Sequence, residues 1–177
     1  REGEHYVING QKTFITNGQN CDFVLLVCST DQSLGAKGIS LIIVESDREG
    51  FQRGRNLEKI GQKAADTSEL FFSDVRVPAS NLLGKEGGGF AVLMNELPRE
   101  RMTIACRALA EAQRAYELAR DYVKERKAFG NTIFEFQNTQ FKLAEIKTSL
   151  AVGWAYLDQC LSKINEGALT PEEGAMA

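Results

Sequence analysis

The side chains that could do chemistry in this 177-residue chain are few and widely spaced. Glu100 and Arg101 stand side by side in a stretch whose apolar residues recur at helical spacing. At about 100° per residue, Arg101 falls near the middle of the apolar stripe and Glu100 near its margin. Charge placed there needs a reason, because unpaired buried charge is expensive. One reading is a half-buried ion pair, or a phase shift introduced by Pro98. The other is a partly desolvated carboxylate whose raised pKa makes it a usable general base.

Thr16 ends a β-rich run just before Asn17-Gly18. Its hydroxyl could bond a ligand at the sheet edge, or belong to an ordinary strand threonine. Phe14 shares its face by strand alternation; it could stack on an aromatic cofactor or fill a core. Arg126, at a helix end, either complements the helix dipole or holds a phosphate. Gln137, beside Phe136, says little alone.

Other chemistries find no support. The lone His5 cannot build a His-rich metal site and reads as a strand residue. Cys21, Cys28, Cys106 and Cys160 lack CxxC spacing, which fits structural thiols in a reduced compartment. A net charge of −3 gives no reason to expect a nucleic-acid surface. The apolar strings are of strand length, short of a membrane span. Gly84–Gly89 has no phosphate-loop Lys-Ser/Thr.

These residues must be positioned by two kinds of element. Residues 1–84 read as short strands: hairpins at Asn9-Gly10 and Asn17-Gly18, then Phe23–Cys28, Ile39–Val44, a weaker Phe51–Gly54, and Leu70–Val77. That pattern predicts an antiparallel β barrel or sandwich. After a hinge-like glycine stretch, residues 85–177 read as helices. The first should kink or break at Pro98. The second, from about Phe136 to Asn165, shows a bundle face in Phe136, Leu143, Leu150, Leu157 and Ile164, widened by Ile146, Trp154 and Leu161. Ala128-Phe129-Gly130-Asn131 is the turn between them. Thr170-Pro171-Glu172-Glu173 starts another helix, with four residues to follow, so we expect a chain cut from a longer one.

Four segments in order carry a resemblance. They are Ile8-Asn9-Gly10-Gln11-Lys12-Thr13-Phe14-Ile15-Thr16-Asn17-Gly18; Gly61 through Asp66-Thr67 to Phe72, Asp74, Val75 and Val77-Pro78; Glu100-Arg101; and Glu125-Arg126-Lys127-Ala128-Phe129-Gly130 with Phe136-Gln137. Together they resemble the acyl-CoA dehydrogenase family across essentially the whole chain. The resemblance implies a middle β domain followed by the first helices of a four-helix bundle. It implies FAD as cofactor, with Phe14, Ile15 and Thr16 at the isoalloxazine ring. Arg126 and Gln137 then hold the pyrophosphate and adenine side, commonly of a neighbouring subunit's FAD. Phe14 stands where many members carry Trp, and Ala128 and Ala91 depart from some of them. Pro98-Arg99-Glu100-Arg101 is similar to the long-chain branch, whose base, shared in position with the isovaleryl branch, falls at Glu100. Pro98, Arg99 and Arg101 would be the substrate-side residues.

The implied reaction is α,β-dehydrogenation of an acyl-CoA to a trans-2-enoyl-CoA in fatty acid β-oxidation, with electrons passing to an electron-transfer flavoprotein. A homo-oligomer in the bacterial cytoplasm or mitochondrial matrix is implied, with this chain alone inactive and a poor FAD binder. An acyl-CoA oxidase or flavin monooxygenase of the same superfamily is an alternative; a non-catalytic oligomerisation or binding module is another.

Overall fold

β1 (His5–Thr16) runs straight through Asn9-Gly10, where the sequence predicts a hairpin. A computed structural model describes all 177 residues. Five further strands follow: β2 (Phe23–Ser29), β3 (Ile39–Glu45), β4 (Phe51–Asn56), β5 (Thr67–Pro78) and β6 (Leu82–Leu83). They form two antiparallel three-stranded sheets, β1-β5-β4 and β2-β3-β6. The arrangement is sandwich-like, without a closed barrel.

Asn9 fails to turn the chain because β5 offers its side chain a partner. Its amide donates to Asp74 Oδ1 at 2.9 Å, and Asp74 N–H donates back to Asn9 Oδ1 at 2.9 Å. Asp74, at φ 51°, is the extra residue of a bulge, and the register steps from Ile8–Val75 to Gly10–Phe72. A one-residue step exchanges the faces of a strand. Ser68, Leu70 and Phe72 are buried before it, Val75 and Val77 after it. Asn17-Gly18 does turn the chain, but β1 pairs with β5 and β2 with β3, so the turn carries the chain between sheets.

α1 (Gly89–Glu125) passes through Pro98 without ending. The glycine stretch before it is pinned, not loose: Gly87 N–H donates to Ser40 Oγ at 2.8 Å, and Ser40 Oγ lies 2.8 Å from Thr30 Oγ1. A small hairpin, β7 (Lys127–Ala128) and β8 (Asn131–Thr132), leads to α2 (Gln137–Asn165) and α3 (Pro171–Met176). The chain divides into two compact units, Arg1–Leu93 and Met94–Ala177. In the second, Met102 and Ala105 of α1 pack on Leu157 and Cys160 of α2. Gly153 permits the approach, since a Cβ there would lie 2.7 Å from Leu109 Cδ2. No helix is long and apolar enough to cross a membrane.

The turn after β3 is held by Glu45, which pairs with Arg48 and accepts from Asn81. The Arg48 hydrogen bond, with help from backbone N–H and Asn81, lowers its pKa from 4.5 to about 2. A depressed carboxylate pKa stabilises the fold above the ordinary value and loses that effect as pH falls through the folded one. Urea midpoints measured from pH 5 down to 2 should therefore fall less steeply in Arg48→Met than in the native chain.

Candidate active site

The end of β1 presents an aromatic ring to solvent. A second bulge lies between Lys12, opposite Leu70, and Ile15, opposite Ser68, so β1 carries one extra residue there. Phe14 takes φ 62°, a left-handed conformation that a bulky residue rarely adopts, and its ring is 76% exposed. Strand alternation, which would put Phe14 and Thr16 on one face, is broken by the bulge, yet both side chains are exposed. Ile15 is partly buried against the core, and its carbonyl accepts from Gly18 N–H at 3.3 Å. Thr16 pairs with Thr67 through the backbone, leaving its hydroxyl without a protein partner.

Asp66, which the sequence reading passed over as one residue of a family segment, organises this edge. Its carboxylate accepts from Gln19 N–H at 2.7 Å and from Asn20 Nδ2 at 3.2 Å. Its carbonyl accepts from Asn17 N–H at 3.3 Å. The Gln19 bond is the main reason its pKa is lowered. An aspartate just ahead of a strand, facing an Asn-Gly turn, was the available signal.

Glu100 and Arg101 are both exposed. The buried stripe of α1 is Met102 and Ala105, with Leu109 partly buried beside them, and Glu100 lies roughly 160° around the helix from Met102. Arg101 is therefore off the buried stripe, not in its middle. α1 has two apolar faces, and α2 covers one. The other keeps Ile104 at 69% exposure, Leu118 at 55% and Tyr122 at 61%. Glu100 borders that open face, one turn from Ile104, and no ion pair or hydrogen bond engages it. Arg99 lies 3.9 Å from Glu96, and Pro98 is half-buried.

Arg126 follows the last turn of α1, and Gln137 is the first residue of α2. The hairpin between them turns through Phe129 and Gly130 at φ 54° and 87°, the double positive φ of a type I′ turn. Ile133 N–H donates to the Arg126 carbonyl at 2.8 Å, which brings both residues to one end of the α1–α2 pair. Both side chains are exposed. The N-terminus of α2 has no side-chain cap and no acidic residue in its first turn. The nearby Glu135 is occupied by Thr132 N–H and hydroxyl, which lower its pKa. A guanidinium, an amide and an open helix N-terminus form a donor set suited to an anion.

Residues 1–75 match the acyl-CoA dehydrogenase middle domain, and residues 87–177 match the acyl-CoA dehydrogenase C-terminal domain. The chain belongs to the acyl-CoA dehydrogenase family. It is 48% identical over 179 residues to the mitochondrial long-chain specific acyl-CoA dehydrogenase of Sus scrofa, covering 100% of this chain and 42% of that relative. The crystal structure of an acyl-CoA dehydrogenase from Geobacillus kaustophilus superposes with a TM-score of 0.95 at 46% identity, over 99% of this chain and 47% of that one. Butyryl-CoA dehydrogenase of Megasphaera elsdenii gives 0.92 at 37% identity, over 100% and 46%. The chain thus spans less than half the length of these members of the family.

The bulge holds Phe14 in a strained conformation with its ring exposed, so relieving the strain should stabilise the chain. Phe14→Gly should raise the unfolding free energy by about 1 kcal/mol, read from urea denaturation. A loss of stability would mean that the exposed ring contributes packing.

Proposed function

We propose that this chain is part of a flavin-dependent acyl-CoA dehydrogenase of the long-chain type, with Glu100 as the general base. The observation that carries this reading is the position of Glu100: a carboxylate with no ion-pair partner, bordering an uncovered apolar face of α1. An apolar surface or acyl chain laid on that face would desolvate the carboxylate and make it a stronger base. Residues 1–84 would form the middle domain and 85–177 the start of the helical one.

The residues present fit FAD. Phe14 offers an exposed ring and Thr16 a free hydroxyl, which suit a flat heteroaromatic system with acceptor atoms. Arg126 and Gln137 suit a diphosphate. When bound, FAD would supply the acceptor for the hydride leaving the β-carbon. Glu100 would take the α-proton onto its carboxylate, and the bond between the α- and β-carbons would become double. Arg101 and Arg99 would sit beside the thioester end of the substrate, and Pro98 would shape the turn before the base.

Glu100 and Arg126 are separated by roughly 39 Å of helix, farther than one dinucleotide spans. Arg126 and Gln137 therefore serve a second copy's FAD, and the working enzyme is a homo-oligomer. Electrons would leave to an electron-transfer flavoprotein. The four free cysteines suit a reducing compartment, the bacterial cytoplasm or mitochondrial matrix.

In the full-length enzyme, Glu100→Gln should keep FAD and lose turnover by about 100- to 10,000-fold with a dye acceptor; near-native rates would overturn the assignment. Arg126→Ala should weaken FAD binding at least about tenfold, read by flavin release on dilution. Oxygen consumption without any other acceptor would favour the oxidase or monooxygenase reading.

A further inference from the structure

We infer that Gly174 is a positioning residue for Glu100: α3 is a buttress seated on Pro98, in the turn of α1 that carries the base. This inference rests on reading Glu100 as the base.

Pro98 has no N–H, so the Met94 carbonyl lacks its usual donor four residues on and α1 is weakest there. Glu100 lies two residues further, with no side-chain partner, so its place is set by the backbone of that turn. Support comes from outside the helix. Gly174 is buried, and a Cβ on it would lie 3.0 Å from Pro98 Cβ, 3.3 Å from Pro98 Cα and 3.4 Å from the Pro98 carbonyl oxygen. Ile164, Gly167 and Leu169 line a cleft with Pro98 and Arg99.

The start of α3 is fastened to α2. Lys163 of α2 pairs with Glu173. Tyr156 of α2 donates its hydroxyl to the Glu173 carbonyl at 3.2 Å. Glu173 N–H donates to Thr170 Oγ1 at 3.2 Å and Thr170 N–H to Glu173 Oε2 at 3.1 Å, which closes the capping box. Leu169 packs against the Met102 cluster. α3 is thus tied to α2 on one side and rests on Pro98 on the other.

Alanine in place of a helical glycine ordinarily stabilises the helix. At position 174 its methyl group would push Pro98 by a few tenths of an ångström. A misplacement of 1 Å can cost about 100-fold in rate. In the full-length holoenzyme, Gly174→Ala should lower kcat about tenfold, with KM unchanged and Tm no lower than native. Lys163→Met, which loosens the fastening, should also lower kcat at unchanged KM and speed amide exchange over residues 94–104; it decides the matter if Gly174→Ala does not fold. Native kcat in both variants, with exchange faster only in α3, would overturn the inference. Glu100→Gln assayed in parallel separates the two readings. If it retains turnover, the base assignment fails. If it is inactive while both other variants run at the native rate, only the buttress fails.

Discussion

The pairing of β1 with β5 is the constraint from which the first unit follows. Each strand has twelve residues whose backbone groups must be satisfied, and β5 also carries β4 on its other side. The pairing accommodates one extra residue on each strand, Asp74 on β5 and one near Phe14 on β1. The first bulge shifts the phase so that both halves of β5 bury their apolar residues. The second forces Phe14 to φ 62° and turns its ring out of the sandwich. One ladder therefore builds the core and displays the ring. Asp66, just before β5, then clamps the turn after Thr16, so the presenting edge is fixed at both ends.

The second unit solves a different problem. α1 is apolar on two faces and α2 can cover one. Close packing at Gly153 and Leu109 selects the face of Met102 and Ala105, leaving Ile104, Leu118 and Tyr122 open. Glu100 borders the open side, so its solvation depends on what covers that face. A carboxylate shielded from water by apolar surface is in general a stronger base than one in solvent. The catalytic character proposed for Glu100 thus belongs to the assembled protein, while this chain supplies its location.

Much of this was legible in the sequence where the signal was local. The two helices follow from apolar periodicity, and Leu150 and Leu157 are buried as their seven-residue spacing predicts. The capping box at Thr170 and the Phe129-Gly130 turn are local chemistry and appear as read. What was not legible depends on a distant partner. Asn9-Gly10 reads as a hairpin until Asp74, 65 residues away, takes up the asparagine side chain. Arg101 reads as buried because periodicity cannot say which of two apolar faces α2 will choose. The glycines before α1 read as a hinge, and only Ser40 reveals them as pinned. The proposed roles of Thr16, Arg126 and Gln137 rest on resemblance, since each taken singly is an ordinary residue of its element.

The proposed role of Glu100 is to remove a proton from the carbon next to the thioester. An acyl-CoA analogue with no hydrogen on its β-carbon isolates that step, because no hydride can follow. With the full-length protein in D2O, NMR of such an analogue should show its α-hydrogen exchanging for deuterium, and the Glu100→Gln protein should slow the exchange by about 100-fold or more. Exchange at the native rate in that variant would contradict the account.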